Sequence, residues 1–160
     1  MLVDTKKTTN IFFFLLYIRF SNSDEYYVVE IKHYDSNLDL ALLVLENTQF
    51  KKIKVNLSNI LVGQKTLLLG NGNNLGISLT AGVISKNEVE INVNGNIISF
   101  IQVDATFTSG MSGGALLDEN GSLIGIITLR LLDDYGTPIY GYVYAIPISI
   151  VLDFVASSTI

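Results

Sequence analysis

The sequence predicts an all-β domain whose strands close into a barrel or a sandwich. Three observations carry that expectation. Short apolar runs recur along the whole chain, bounded by clusters of Gly, Asn, Asp and Ser. The connections are rich in turn residues, with "SNSD", "GNGNN", "NVNGN", "DENG" and "DDYGTP" among them. Helical spacing of apolar residues appears only in the closing stretch. Evenly spaced strands without intervening helices suit a barrel or sandwich.

Taken in order, the first run is "IFFFLLYIRF" (11–20). Its eight consecutive apolar residues before Arg19 are too few to span a bilayer, and no small-residue cleavage site follows. A buried strand is expected, with a remnant of a targeting segment as the alternative. "EYYVVEIKHY" (25–34) is rich in Tyr, Val and Ile, and "LDLALLVLE" (38–46) is almost wholly apolar after Asp39. Further strands are expected at 64–71, 78–85, 89–93, 97–105, 114–118, 122–130 and 140–148. Asn120-Gly121 predicts a type I′ hairpin between 114–118 and 122–130. The close, "SIVLDFVASS" (149–158), fits a short terminal helix, and there is no internal repeat or low-complexity linker.

A chain of 160 residues, 49% hydrophobic and 16% charged, fits one domain with a sizeable core. The absence of Cys excludes disulfides, thiolate metal sites and a Cys nucleophile. A single His excludes a multi-His metal centre. The net charge of -5, without blocks of Lys or Arg, argues against nucleic acid and anionic membrane as partners. The "KK" pairs at 6–7 and 51–52 read as solvated turns.

Chemistry concentrates in "FTSGMSGGALLDENGSLIGIIT" (107–128), where Ser112 stands in a frame of glycines. A serine hydroxyl is a poor nucleophile until a base takes its proton, and the developing oxyanion needs preorganised N–H donors. Flanking glycines reach the backbone conformations that turn successive N–H groups to one point. "GMSGG" therefore suits an oxyanion loop, with Gly110, Met111 and Ser112 as its residues and the Gly110 and Ser112 N–H groups as donors. An ordinary Gly-rich hairpin explains these five residues equally well. The pattern is not a strand-to-helix nucleophile elbow, because strands follow it. Asp39 places a carboxylate at the start of a very apolar strand, which is costly without a donor such as an imidazole or a backbone N–H. The bland reading is a solvated strand-start carboxylate. Asp35 reads as a turn residue, and Asp104 as a maker of structural hydrogen bonds under the Ser112 loop.

The stretch "FIQVDATFTSGMSGGALLDENGSLIGIIT" resembles the nucleophile region of trypsin-like serine proteases of the HtrA (Do-like) type. Three further segments agree in order: "YDSNLDLALLVLE", "LLLGNGNNLGISLTAGVIS" and "YGYVYAIPISIV". The match runs from about residue 18 to the end. The resemblance implies a double β-barrel with its first barrel incomplete (1–58), a second barrel (59–148) and a C-terminal helix (149–160). It assigns Ser112 as nucleophile and Asp39 as triad carboxylate. It places Thr106 at the base of the primary pocket, with Ile126, Ile127 and Thr128 pairing the substrate backbone and Tyr142–Tyr144 as further walls. Without a carboxylate at Thr106, cleavage after small or medium aliphatic residues is expected. Met111 replaces the family's Asn or Asp, Ala115 its Pro, and Val143 a small residue, which narrows the pocket.

The family's base is a histidine upstream of the Asp, and "MLVDTKK" aligns so that Met1 falls at about its place. His33, the single His, lies too close to Asp39 along one strand and turn, and is expected to be an ordinary surface residue. A shortened or late-started chain and a genuinely base-less relative both account for this, and the first is the expectation. The chain as written is then a serine endopeptidase domain with negligible activity, needing no cofactor and no metal. A polypeptide or unfolded protein is the expected partner. The alternatives are a peptide-binding module without chemistry and a purely structural β-domain. No peptide-binding domain of the PDZ kind is expected after it, and an extracytoplasmic location is expected only if a longer form carries a signal segment.

Overall fold

The computed structural model describes residues 3–5, 14–20, 24–45, 51–93, 95–132 and 138–158. Four strands come first: β1 (Val3–Thr5), β2 (Phe14–Arg19), β3 (Tyr26–Asp35) and β4 (Leu40–Val44). They pair antiparallel in chain order as one open sheet. Six more follow: β5 (Lys65–Gly70), β6 (Ser78–Val93), β7 (Asn96–Ala105), β8 (Ala115–Asp118), β9 (Leu123–Leu132) and β10 (Pro138–Pro147). These close into a barrel in the order β10-β7-β6-β5-β8-β9. Helix α1 (Ile148–Ser157) starts directly after Pro147, whose ring fixes φ near the helical value and needs no N–H of its own. Among the described residues no helix is long and apolar enough to cross a membrane.

The all-β expectation holds, with an open first sheet, a closed second barrel and one short terminal helix. Three details differ. The runs expected at 78–85 and 89–93 are one strand, β6, because the polar stretch between them bends without leaving the ladder. Its register against β7 slips twice there, at Ile84/Lys86 and at Lys86/Val89. The three-residue β1 was not expected from "MLVDT". Between β8 and β9 only Gly121 has positive φ, at 76°, whereas a type I′ turn needs two such residues. The turn closes instead by Gly121 N–H donating to the Asp118 carbonyl at 3.0 Å, followed by the left-handed glycine and a register slip at Leu116/Leu117. The Asp118 carboxylate selects this form, since its Oδ1 accepts the N–H groups of Asn120 and Ser122, both at 2.9 Å. Of the run 11–20, residues 11–13 lie outside the described residues, as do most of the turns at 21–24 and 133–138.

The barrel interior is filled by Leu68, Ile84, Ile101, Val103, Met111, Leu116, Ile124, Ile127, Val143 and Ala145. Each fully buried aliphatic side chain contributes about 1.5–3 kcal/mol. A second cluster, Ile98, Phe100, Tyr144 and Ile146, packs on the opposite face of the same strands, where side chains alternate. Leu38 from the turn after β3 and Leu40 of β4, with Ile150 and Val151 from α1, cover it. His33 completes the junction, its ring stacked on Phe154 of α1 with centroids 5.0 Å apart. It is half-buried beside the helix, not an ordinary surface residue.

One feature of the topology positions the site. Strands β7 and β8 follow each other in sequence, yet β7 lies between β6 and β10, and β8 between β5 and β9. The connection at 106–114 must therefore cross from one part of the barrel wall to another.

Candidate active site

The crossing loop is held from both ends and through its middle. Thr80 Oγ1 donates to the Thr106 carbonyl at 2.9 Å, and Asn73 N–H donates to the Ser109 carbonyl at 2.7 Å. Met111 N–H reaches the Thr108 carbonyl at 3.1 Å, and Gly114 N–H reaches the Met111 carbonyl at 3.0 Å. The Met111 side chain drops into the barrel core, 2% exposed, with its sulfur 3.5 Å from the Thr108 amide nitrogen. Ser112, the next residue, is left exposed. An apolar residue beside the serine thus anchors the loop and turns the hydroxyl outward.

Gly110 has a φ of 91°, and a Cβ there would lie 2.6 Å from the Asn71 carbonyl oxygen. Only glycine meets both demands. The loop then joins β9: Gly113 N–H donates to the Ile127 carbonyl at 2.7 Å, and Ile127 N–H to the Gly114 carbonyl at 2.9 Å. Among the described residues no hydrogen bond involves the N–H groups of Gly110 or Ser112. Of the three residues expected in an oxyanion loop, Met111 has its amide engaged in the turn.

Asp39 approaches from the open sheet. It ends the turn after β3, where Asp35 Oδ1 accepts the N–H groups of Asn37 at 2.8 Å and Leu38 at 3.1 Å. Asp39 itself adopts a φ of 55°, an uncommon conformation for a non-glycine residue and one that Asp tolerates better than most. Thr128 Oγ1 donates to Asp39 Oδ2 at 3.5 Å, the outer limit of a hydrogen bond. Ser112 Oγ donates to the carbonyl of the same residue, Thr128, at 2.8 Å. The local cause is a bulge in β9. Tyr144 of β10 pairs with Leu129 but Ala145 pairs with Ile127, so Thr128 is the extra residue.

Asp39, Thr128 and Ser112 are thus brought together. The other expected substrate contacts are dispersed. Ile127 is fully buried in the barrel core, and both of its backbone polar groups are already bonded to the serine loop. Ile126 pairs with Ala115 on one side and Ile146 on the other. Val143 and Tyr144 are core residues, at 2% and 4% exposure. Thr106 opens onto a cleft of about 630 Å³ that it shares with Lys65, Val83, Asp104 and Glu119. Asp104 is exposed there and, among the described residues, makes no hydrogen bond to the loop. The role of Thr128 as the link between Asp39 and Ser112 was not read from the sequence, because a bulge leaves no local signature in "IIT". Among the described residues no group of three or more His, Asp or Glu side chains is placed to hold a metal ion.

Comparison of the whole sequence with known proteins finds a family. Residues 2–126 fit the model described as "Trypsin-like peptidase domain". The chain belongs to the trypsin-like peptidase family. Within this family it is of the HtrA (Do-like) type. The "Probable periplasmic serine endoprotease DegP-like" of Buchnera aphidicola subsp. Baizongia pistaciae is 39% identical over 120 residues, covering 73% of this chain and 25% of that protein. "Periplasmic serine endoprotease DegP" of Salmonella typhimurium is 40% identical over 120 residues, covering 73% of this chain and 25% of that one. Among solved structures, "HtrA-type protease AlgW with decapeptide" superposes with a TM-score of 0.74 at 31% identity, covering 84% of this chain and 41% of that one. The trypsin-like domain described here thus spans about a quarter of the length of the curated relatives it matches.

Proposed function

We propose that this HtrA-type chain contributes the nucleophile and the carboxylate of a serine endopeptidase acting on polypeptides. The observation that carries the reading is the convergence on Thr128. Asp39, 89 residues earlier in sequence, and Ser112 meet the two ends of that one residue. In the reaction, Ser112 Oγ attacks the scissile carbonyl while an imidazole takes its proton, and Asp39 orients that imidazole and stabilises its charged form. The unengaged N–H groups of Gly110 and Ser112 hold the oxyanion. The proton then passes to the leaving amine, and water resolves the acyl-enzyme by the same steps. No step draws on a metal or a cofactor.

The substrate lies along β9. Beyond the Gly114–Ile127 pair, the edge facing β8 carries no strand among the described residues, so Thr128 offers the first carbonyl without a backbone partner on that edge for an added strand. The solved AlgW structure with a decapeptide supports a polypeptide as the ligand class.

The one histidine of the sequence, His33, is stacked on Phe154 and does not serve as the base. The chain as given therefore has negligible peptidase activity, at most the residual ~10³–10⁴ over water that binding and the oxyanion donors supply. The test is casein hydrolysis by the wild-type chain against Ser112→Ala. Hydrolysis above background that disappears in the variant would mean that another base acts here. The second reading is a peptide-binding module without chemistry. The bonded state of the Ser112 hydroxyl favours it, and peptide binding with no turnover even when a histidine-bearing segment is joined upstream would establish it.

A further inference from the structure

We infer that Ser112 and Thr128 form a latch that an arriving peptide must displace, so that filling the groove and freeing the nucleophile are one event. The inference rests on the peptide groove proposed above. Ser112 Oγ donates its proton to the Thr128 carbonyl at 2.8 Å, a bond of ordinary length and geometry for two hydroxyl and carbonyl oxygens. While that bond stands, the proton a base would remove is held against a backbone oxygen on the wall of the barrel. Among the described residues the same oxygen is the first on that edge of β9 without a backbone donor, the Ser112 hydroxyl being its partner. A peptide added as a strand presents an N–H to it, and the two donors then compete for the lone pairs of one carbonyl oxygen, each bond weakened by the other. The bulge at Thr128 is what makes the two compete. A regular strand would turn this carbonyl toward β10, where Tyr144 and Ala145 pair on either side of it. The hydroxyl gives way because Ser112 is exposed and exchanges its partner for water, whereas the peptide brings several ladder bonds together.

Removing the hydroxyl removes the competitor. A net hydrogen bond of about 1 kcal/mol corresponds to roughly fivefold in affinity. The experiment titrates an aliphatic hexapeptide amide into the wild-type chain, Ser112→Ala and Ser112→Thr, followed by calorimetry. The expected result is about fivefold tighter binding by Ser112→Ala, with Ser112→Thr, which keeps a hydroxyl, close to wild type. A scan of the peptide with one N-methylated amide at a time supplies the control. One position, the amide that meets Thr128, should abolish the advantage of Ser112→Ala. Equal binding by all three chains would overturn the latch and leave the groove standing. No binding by any of them would overturn the groove, and the latch with it.

Discussion

Met111 accounts for a departure from the family pattern that looked incidental in the sequence. Where relatives carry Asn or Asp before the serine, this chain places a thioether that packs among Leu68, Ile84, Leu116 and other core residues. The frame "GMSGG" was legible because its residue types answer a specific demand, the left-handed backbone at Gly110, whereas Asp39, expected to need a donor, is exposed and receives only the Thr128 hydroxyl at 3.5 Å. Thr128 was expected as a residue pairing the substrate backbone, but its contacts with both Asp39 and Ser112 were not legible, because they depend on a register slip between two strands. Asp118 was not singled out at all. Burial works against its ionised form, but bonds from Ser122 N–H, the Asn56 side-chain amide and Asn120 N–H, with Lys54 nearby, outweigh it and hold its carboxyl below the usual range. A carboxyl depressed in the folded state stabilises fully above its unfolded value, and that stabilisation is lost as pH falls through the folded value. Asp118→Asn should therefore lower Tm at pH 7 by the equivalent of about 1–3 kcal/mol. The gap to wild type should narrow as the pH is taken toward 3, and a gap constant with pH would remove Asp118 from this role.

At the level of elements, strand identity came through because apolar runs and turn clusters are local signals. Element boundaries were set by long-range pairing. The polar stretch 86–88 looks like a turn, but β7 runs alongside and carries β6 through it with two register shifts. The Asn120-Gly121 turn was placed correctly and typed wrongly, since the buried Asp118 carboxylate decides its backbone form. Helix α1 was expected as a terminal helix, and its function as a fastener was not. Phe154, 6% exposed, fills the space beside the His33 ring, so the helix joins a strand of the open sheet to the barrel. Phe154→Ala should cost about 3 kcal/mol in urea denaturation. His33→Ala, losing chiefly the ring stack, should cost about 1 kcal/mol. If the histidine change proved the more damaging, the stack would be organising more of the molecule than its packing indicates.

The whole molecule is unevenly consolidated. The barrel encloses a continuous core, and each of its six strands has a hydrogen-bonded neighbour on both sides. The sheet β1–β4 is open, and among its described side chains only Val29 is buried. Tyr26, Val28, Ile31 and Tyr34 of β3 are all at least half exposed. Local opening is easiest where few apolar side chains are buried. Amide exchange should therefore protect β7 and β9 well beyond β2 and β3 in a monodisperse sample. Equal protection of β3 and β7 would show that the sheet is covered in solution. The trypsin-like architecture, with an incomplete first barrel and a closed second one, was legible from four ordered segments resembling one family. How the open sheet meets the barrel, through Leu38, Leu40 and α1, depends on tertiary packing that no single segment encodes.

The crossing of residues 106–114 from β7 to β8 also sets an order in time. Strand β8 has to find β5, with Thr66 opposite Asp118, before the loop has two fixed ends. Pairings of such long sequence separation form slowly, because the chain between them must first be ordered. Until that step, Met111 has no core to enter and Gly110 no carbonyl to lie against. A chain emerging during synthesis would carry every residue of the Ser112 loop and still lack its geometry. The chemistry that this frame can support is thus withheld from incomplete chains by topology, and it becomes available only when the barrel has closed.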